Sequence, residues 1–233
     1  MLKDKMIAPP FFEIGVKNYL YGDRIAELAL AADRASRDYG VDIIFTTPYA
    51  DIRAVAEKTE SIFVIAPHMD AEPIGRGLAN VLPESIKAAG ARGVMLNHVE
   101  KPLTFTVLER TIARARETGL FTVVCADTVA EARAAALLGP DIIVAEPAGL
   151  IGTGKGVDAS YMEEAIGAVK TVNPDVMVLV SAGISNGKDV YNVMSRGCEA
   201  TGTSSGVALA KDPVQMIDEM AAAVRSGWDA FHS

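Results

Sequence analysis

The sequence predicts an α/β protein that folds as a single (β/α)8 barrel. Short apolar runs alternate with longer amphipathic segments along the chain, a pattern typical of parallel strands joined by helical crossovers. Eight such strand–helix units fit into 233 residues, which is close to the length that a (β/α)8 barrel requires. Since no Pro-, Gly- or Ser-rich linker divides the chain, we expect one barrel domain over residues 1–233.

The strand candidates share a short apolar run bounded by polar or turn residues. They are 12–16, 42–46, 61–66, 93–97, 121–125, 141–145, 176–180 and 199–203. The segments between them carry apolar residues at helical spacing. They are 22–39, 49–58, 82–89, 104–118, 128–138, 158–172, 187–195 and 213–226. Thr128 and Glu131 form a capping box at the start of one helix. Asp158 can cap the next helix, which Asn173 and Pro174 end.

A doubly wound open sheet is the alternative fold. Such sheets usually contain fewer strands and often carry a glycine-rich dinucleotide-binding fingerprint after the first strand. Here the corresponding segment, 12–19 (FEIGVKNY), does not match GxGxxG. The barrel therefore accounts for the pattern more economically.

The composition limits the partners that the protein can bind. With 50% hydrophobic residues and a mean hydropathy of +0.22, the chain can bury a large core. The net charge at pH 7 is −8, from 22 Lys and Arg against 30 Asp and Glu. This acidic balance argues against nucleic acid or an anionic membrane as a partner. An anionic substrate must therefore be held by local groups.

The sequence also predicts the compartment. No run approaches the roughly 18 apolar residues of a membrane span, and the first residues, MLKDK, lack the apolar core of a signal peptide. We therefore expect a cytoplasmic protein. Cys125 and Cys198 lie in apolar, strand-like segments without the spacing of a metal or redox motif, so we expect buried free thiols.

The most informative candidate residue is Glu146, which lies where the apolar strand 141–145 meets a loop of small residues, 146–154 (EPAGLIGTG). A carboxylate at the end of a buried strand loses part of its water, which raises its proton affinity toward that of a useful base. The glycines of the loop allow backbone movement and a close approach of N–H groups to an anion. This indicates a catalytic base beneath a movable lid. The alternative is an ordinary connection whose glutamate is solvated.

Polar residues also follow four other strands. They are Lys17 after the first strand, 97–100 (NHVE) after the fourth, 181–183 (SAG) after the seventh and 204–206 (SSG) after the eighth. In a barrel these strand ends surround one mouth. A cation, an imidazole, a base and two small-residue anion loops together suit proton abstraction beside a carbonyl group of a phosphorylated substrate. Loops after the seventh and eighth strands commonly hold a phosphate.

These motifs resemble the archaeal-type branch of the triosephosphate isomerase family. The segments that carry the resemblance are Lys17, 97–100, 146–154, 182–184 (AGI), 205–207 (SGV) and 211–213 (KDP). They fall in the same order on five strand ends, and the resemblance extends from about residue 12 to about residue 225. It implies a TIM barrel that interconverts an aldose and a ketose phosphate without a cofactor or a metal, in glycolysis and gluconeogenesis.

The resemblance also implies roles for individual side chains. Glu146 is similar to the base that moves a proton between adjacent carbons through an enediolate. His98 resembles the neutral imidazole that polarises the carbonyl, kept uncharged by the helix N-terminus that follows the fourth strand. Lys17 resembles the cation near the developing oxyanion, and Glu100 the partner that holds this lysine in place.

Further positions match the family's substrate-binding site. They are Gly15, Lys17, Ile151, Gly152, Gly183, Ser204 and Ser205. The resemblance implies that most of those at the phosphate act through backbone N–H groups. Closure of the loop over 147–154 would then exclude water and protect the enediolate.

The sequence departs from the family pattern at several of these positions. Gly15 replaces an asparagine two residues before the lysine, and Val99 replaces a serine after the histidine. In the lid, 148–149 (AG) replaces Pro-Glu. At the third strand, Pro67 replaces a glutamine. Two lost polar contacts, each worth about 1–3 kcal/mol if buried, leave two alternatives open. One is an isomerase of a larger ketose phosphate, such as a tetrulose phosphate, and the other is a catalytically silent phosphate-binding barrel.

The remaining candidate site residues follow the third strand or lie near the end of the chain. His68 follows the third strand and could reach the same mouth, although the family associates this position with subunit contact. His68 and Asp70 without a third ligand do not make a metal site, and His232 lies in a tail that we expect to fray. We expect a homo-oligomer, a dimer or a tetramer, with 67–78 as a contact region.

Overall fold

The computed structural model describes residues 5–153, 156–181 and 183–233. In this part of the chain, parallel strands form a closed barrel in which each strand pairs with the next and the last pairs with the first. The strands are β1 (Phe11–Gly15), β2 (Asp42–Thr46), β3 (Ile62–Ala66), β4 (Gly93–Leu96), β5 (Phe121–Ala126), β6 (Ile142–Ala145), β7 (Met177–Val180) and β8 (Ala200–Thr203). The predicted (β/α)8 barrel is confirmed.

Helices connect successive strands around the outside of the barrel. They are α1 (Asp23–Tyr39), α2 (Ile52–Lys58), α3 (Pro83–Ala88), α4 (Phe105–Thr118), α5 (Val129–Ala136), α6 (Ala159–Val172), α7 (Gly187–Met194), α8 (Ser205–Ala208) and α9 (Pro213–His232). Two short 3-10 turns, Tyr49–Asp51 and Ala148–Leu150, follow β2 and β6.

Two hydrophobic cores stabilise this arrangement, because successive side chains of a strand point to opposite faces. On β1, Phe12 and Ile14 belong to the large core between strands and helices. Phe11 belongs to a smaller core inside the barrel, together with residues such as Phe63 and Leu179. Glu13 lies between Phe12 and Ile14 in sequence, so its side chain points to the opposite face of the strand. This is the inner face of the barrel, which Phe11 shares.

Side-chain caps fix where several helices begin. Glu131 donates its backbone N–H to Thr128 Oγ1 over 3.1 Å at the start of α5. Tyr161 donates to Asp158 Oδ1 over 2.8 Å at the start of α6. Both predicted caps are confirmed. Each bond satisfies a backbone donor that the first turn of a helix leaves unpaired.

Three features differ from the sequence prediction. The predicted helix 49–58 is divided into a 3-10 turn and α2. Helix α8 was not predicted, since four residues are too few to show a helical period. The expectation of a frayed tail at His232 is wrong, because α9 continues to this residue and its ring lies 3.9 Å from that of Trp228, centroid to centroid.

Other expectations concern composition. Cys125 and Cys198 are both free and buried, as predicted. Among the helices of the described residues, none combines the length and apolar character needed to cross a membrane.

The close packing of α7 against α9 depends on a glycine, Gly227. A pair of glycine substitutions tests this packing. A Cβ atom at the buried Gly227 would lie 2.7 Å from Met194 Cβ and 3.1 Å from the carbonyl oxygen of Tyr191. We expect Gly227→Ala to lower the free energy of unfolding by about 1–3 kcal/mol through overpacking.

Gly167→Ala on α6 is the control, since the exposed Gly167 has no neighbouring atom within 4 Å of the added methyl group. It should raise the free energy of unfolding by up to about 1 kcal/mol because alanine favours helix. Urea denaturation of both variants measures the difference. Equal effects at the two glycines would contradict close packing at Gly227.

Candidate active site

The carboxyl ends of the strands surround a cavity of about 770 Å³. Every residue that the sequence assigned to the site lines this cavity. These residues are Gly15, Lys17, His98, Glu100, Glu146, Ile151, Gly152, Gly183, Ser204 and Ser205. Barrel closure therefore brings together groups that lie far apart in the sequence.

The imidazole of His98 faces the carboxyl group of Glu146 across the cavity. His98 Nε2 lies 3.9 Å from Glu146 Oε2, and both side chains are largely buried. The other ring nitrogen, Nδ1, accepts a hydrogen bond from the backbone N–H of Glu100 over 3.1 Å. A backbone N–H can only donate, so this bond assigns the neutral tautomer with the proton on Nε2. The N–H of this imidazole is thus directed toward the base.

Two causes favour the neutral form of His98. Burial lowers its pKa first, and the positive charge of Lys17 lowers it further, although Glu100 acts in the opposite direction. The sequence-based expectation attributed the neutral state to a helix N-terminus after β4. Helix α4 begins only at Phe105, so the backbone donor to the ring is instead the N–H of Glu100, in the turn after β4.

The segment after β4 is clamped by Asn97. Its side-chain amide donates to the carbonyl of Cys125 over 3.0 Å, and its oxygen accepts the backbone N–H of Leu103 over 2.9 Å. Asn97 has a φ of 58°, a left-handed conformation that asparagine tolerates better than most residues. These bonds hold the loop that carries His98 to the neighbouring strand.

Lys17 and Glu100 form the predicted ion pair. Lys17 Nζ donates to Glu100 Oε1 over 2.9 Å at the rim of the cavity. The hydrogen bond and the charge of Lys17 lower the pKa of Glu100. Lys17 also has a φ of 45°, a strained conformation for a residue with a Cβ atom, and such strain often occurs at functional sites.

Glu146 lies directly after β6, where its backbone N–H bonds the carbonyl of Ala126 over 3.0 Å. Ser181 Oγ lies 3.0 Å from Glu146 Oε1 and 3.2 Å from the carbonyl oxygen of Gly202. Burial raises the pKa of Glu146, while the Ser181 hydrogen bond and Lys17 lower it in part. The result is a carboxylate that has lost water and keeps one orienting hydroxyl group.

The loops after β7 and β8 close the opposite side of the cavity. The hydroxyl group of Ser204 is buried and has no hydrogen-bond partner within the described chain. Thr203 Oγ1 donates to the carbonyl of Ile184 over 2.7 Å and joins the two loops. At Gly206, a Cβ atom would lie 2.5 Å from Thr203 Oγ1, so the loops pack too closely there for a side chain. An unpaired buried hydroxyl beside small residues suits an anion.

The loop after β6 is hydrogen-bonded at its start and has free space around two of its glycines. Ala148 donates its backbone N–H to Asp127 Oδ1 over 2.6 Å. Gly149 and Gly152 have no atom within 4 Å of a built Cβ position. Gly154, the last residue of the predicted lid, and Ala182, in the predicted loop after β7, lie outside the described residues.

His68 reaches the same cavity, as the sequence allowed. It is buried, its Nε2 atom lies 3.4 Å from Asp70 Oδ1, and Nδ1 has no partner among the described groups. Within those residues, no cluster of three or more His, Cys, Asp or Glu side chains is arranged to hold a metal.

The structure changes the interpretation of two departures from the family pattern. Val99 is 48% exposed and lies away from the cavity lining, so it leaves no room for a substrate. The hydroxyl group that contacts Glu146 comes from Ser181 instead. The space at Gly15 is occupied by the carboxyl group of Glu13, whose Oε1 atom lies 3.1 Å from the position of a Cβ at Gly15. A protein group therefore fills the space that Gly15 leaves.

Sequence reasoning missed Glu13, although one signal was present. It is a charged residue within the apolar run of β1, FFEIG, where every residue is buried. Thr46 Oγ1 lies 2.5 Å from its Oε1 atom. Burial, with a smaller contribution from Glu146, raises the pKa of Glu13 to about 8, although Thr46 and Lys17 act in the opposite direction. The carboxyl group is thus mainly protonated at neutral pH.

A barrel with a buried carboxylate and a neutral imidazole facing each other at its mouth defines a class of protein, the barrel enzymes that move protons beside a carbonyl group. Comparison with known proteins gives the family. A model of the triosephosphate isomerase family matches residues 13–220. The chain belongs to this family.

Relatives named triosephosphate isomerase align over most of the chain. The protein of Methanothermus fervidus is 38% identical over 216 residues, which cover 91% of this chain and 97% of that protein. That of Sulfurisphaera tokodaii is 35% identical over 216 residues, covering 91% and 93%. That of Methanocaldococcus jannaschii is 36% identical over 206 residues, covering 87% and 94%.

The pKa of Glu13 predicts a pH-dependent stability. The folded state holds this proton up to about pH 8, whereas an unfolded glutamate releases it near 4.5. The contribution of Glu13 to stability is therefore complete below pH 4.5 and is lost as the pH rises toward 8. Glutamine at this position cannot ionise, so the stability of Glu13→Gln relative to wild type should rise as the pH rises from 5 to 8. Over these three pH units the gain is at most about 4 kcal/mol.

Urea denaturation at several pH values measures this difference. Glu109→Gln, which replaces an exposed glutamate of α4, is the control and should show a much smaller change with pH. A wild-type-minus-variant difference that is flat between pH 5 and 8 would show that Glu13 ionises normally.

Proposed function

We propose that this chain is a cofactor-independent aldose–ketose isomerase that interconverts dihydroxyacetone phosphate and glyceraldehyde 3-phosphate. The observation that carries the proposal is the pair formed by His98 Nε2–H and Glu146 Oε2, 3.9 Å apart in one cavity. A base and a neutral hydrogen-bond donor at this spacing can act on a carbon and on the oxygen beside it. Family membership and the names of the relatives support the same activity.

Glu146 is the base in this proposal. It removes a proton from the carbon beside the carbonyl group, which leaves an enediolate, and returns the proton to the neighbouring carbon. The C–H bond that breaks is replaced by another, and the hydroxyl proton passes from one oxygen to the other, so no net oxidant or reductant is required. Burial strengthens the carboxylate as a base by raising its pKa.

His98 and Lys17 stabilise the negative charge that develops on oxygen. The Nε2–H of His98 donates to the substrate oxygen, and its neutral state is fixed by the backbone N–H of Glu100 on the other nitrogen. Lys17 supplies a positive charge that Glu100 orients. In a cavity that excludes water, both interactions are stronger than they would be in bulk solvent.

The loops beyond β6, β7 and β8 bind the phosphate group. Ile151, Gly183, Ser204 and Ser205 line this side of the cavity, and the unpaired hydroxyl of Ser204 supplies one donor. We expect the loop 147–154 to close over the bound substrate. Closure would exclude water and protect the enediolate.

A larger ketose phosphate, such as a tetrulose phosphate, is the second candidate substrate. The carboxyl group of Glu13 fills the space beside Gly15 that this larger substrate would use, so this candidate is less well supported than a triose phosphate. The catalytically silent barrel is less well supported, because the cation, the imidazole and the carboxylate all line one cavity.

The cellular setting follows from this chemistry. Phosphorylated sugars and two free thiols, Cys125 and Cys198, favour the reducing cytoplasm, and the activity would serve glycolysis and gluconeogenesis. We also infer a homo-oligomer, a dimer or a tetramer, through the segment 67–78. Its support is two exposed apolar side chains, Ile74 at 72% and Leu78 at 97% exposure.

Glu146→Gln tests the role of the base. The amide cannot accept the proton, so we expect the rate of solvent-deuterium incorporation into dihydroxyacetone phosphate to fall by about 10²–10⁴-fold. Nuclear magnetic resonance in deuterated buffer measures this rate. Glu109→Gln on the outer surface of α4 is the matched control and should exchange like wild type. If Glu146→Gln also exchanged like wild type, Glu146 could not be the base.

Ser204→Ala tests the phosphate site. Removing the only hydroxyl group of this residue should weaken the binding of inorganic phosphate by about tenfold, the amount expected for one hydrogen bond to a charged group. Titration calorimetry measures the dissociation constant, and Ser160→Ala on the exposed face of α6 serves as the control. Unchanged phosphate affinity in Ser204→Ala would place the phosphate elsewhere.

A further inference from the structure

The hydroxyl group of Ser181 has two hydrogen-bond acceptors within reach and a single proton to donate. Its Oγ atom lies 3.0 Å from Glu146 Oε1 and 3.2 Å from the carbonyl oxygen of Gly202. A serine hydroxyl carries one donor and rotates to suit its surroundings. It therefore donates mainly to the stronger of its two acceptors.

The backbone holds Ser181 in a fixed position beside the base. Ser181 directly follows β7, and its backbone N–H bonds the carbonyl of Ala145, the residue before Glu146, over 3.1 Å. The backbone N–H of Glu146 bonds the carbonyl of Ala126 over 3.0 Å. Ser181 is buried and lines the cavity. Since both residues are bonded to neighbouring strands, the hydroxyl group and the carboxyl group stay close to each other.

The two oxygens of the Glu146 carboxyl group have different surroundings. Within the described residues, Ser181 is the one hydrogen-bond partner of this group, and it contacts Oε1. The other oxygen, Oε2, lies 3.9 Å from His98 Nε2, which is beyond hydrogen-bond distance. One oxygen is thus held by the protein, and the other is free to take a proton from a substrate.

The charge of Glu146 changes during the proposed reaction, and its strength as an acceptor changes with it. As a carboxylate, Glu146 accepts a charge-assisted hydrogen bond, which is about twice as strong as a neutral one. Once Oε2 carries the proton from the substrate carbon, Oε1 belongs to a neutral acid. It is then a weaker acceptor than an amide carbonyl, and the carbonyl of Gly202 lies within reach of the same hydroxyl group.

We propose that Ser181 is a positioning residue for Glu146, whose hydroxyl proton turns from Glu146 Oε1 to the carbonyl of Gly202 when the base takes up a proton, and turns back when the base releases it. This inference rests on the proposed isomerase activity and adds to it a group that acts through the base. The hydroxyl group only rotates about its C–O bond, so no covalent bond forms or breaks.

This arrangement orients the base at little cost to its strength. A donor that bonds only the carboxylate stabilises the charged form and so weakens the base. The hydroxyl group of Ser181 keeps an acceptor in both charge states. The carboxylate is therefore oriented before it attacks the C–H bond, and formation of the neutral acid leaves no donor unpaired.

A bond that only joins two strands accounts less well for these contacts. Such a bond exists one residue earlier on each strand, where Thr201 Oγ1 donates to the carbonyl of Val180 over 2.8 Å. Thr201 is fully buried and lies outside the lining of the cavity. Ser181 contacts the base as well as the neighbouring strand, and the distance to the base is the shorter of the two.

Ser181→Ala and Thr201→Val separate the two roles. Each removes one buried hydroxyl group that bonds a strand carbonyl, but only Ser181→Ala removes a contact of Glu146. Isomerisation of dihydroxyacetone phosphate is measured as a function of pH. We expect Ser181→Ala to lower kcat by about 10- to 100-fold, the loss of one hydrogen bond to a charged group. Its KM should change by less than about threefold, since the contact is not made to the substrate. Thr201→Val should resemble wild type in both.

The pH dependence gives a readout that a structural role would not move. The hydrogen bond from Ser181 lowers the pKa of Glu146, because it favours the charged form. Its loss raises this pKa, so the acidic limb of kcat/KM against pH should move to higher pH in Ser181→Ala and stay in place in Thr201→Val. The proposal is overturned if Ser181→Ala keeps the kcat of wild type, if it loses activity with the acidic limb unmoved, or if Thr201→Val behaves in the same way.

A titration without substrate separates this proposal from the isomerase activity. Carbon-13 nuclear magnetic resonance of protein labelled at its glutamate carboxyl groups follows Glu146, whose signal is identified by its loss in Glu146→Gln. If wild type does not convert dihydroxyacetone phosphate, the isomerase proposal fails, but Glu146 should still titrate at higher pH in Ser181→Ala than in wild type. Equal titration curves in the two proteins would rule out the hydrogen bond on which the positioning role depends.

Discussion

Closure of the parallel barrel is the constraint on which the rest of this structure depends. Because β8 pairs with β1, the carboxyl ends of all the strands surround one mouth. Lys17, His98 and Glu146, which follow three different strands, therefore line one cavity. The inner apolar core supports this mouth from below. The candidate groups thus lie one or two residues beyond strand ends whose positions are fixed by backbone hydrogen bonds.

Loss of water is the common physical cause behind the electrostatics of the site. Burial disfavours the charged form of any group, so it raises the pKa of Glu146 and of Glu13 and lowers that of His98. The consequence differs between the groups, because burial favours the protonated form of a carboxyl group and the deprotonated form of an imidazole. Glu146 becomes a stronger base, His98 stays a neutral donor, and Glu13 keeps its proton near neutral pH. The ion pair of Lys17 with Glu100 lies at the rim, where the lysine charge still acts on its neighbours.

The floor of the cavity contains a buried carboxyl group, that of Glu13. Gly15 has no side chain and leaves a space in this floor. The carboxyl group of Glu13, two residues earlier on β1, occupies that space. Thr46 and Gly202 complete this arrangement from the two neighbouring strands.

The sequence by itself determined the fold, nearly all element positions and the identity of the candidate site residues. These follow from local patterns, because strand and helix periods and the polar residues at strand ends can be read along the chain. Only the tertiary structure decided how these groups meet. The tautomer of His98 depends on the backbone N–H of Glu100, and the position of Val99 outside the cavity depends on the path of a loop. Glu13 gained its surroundings from β2 and β8, which are distant in sequence and adjacent only after the barrel closes.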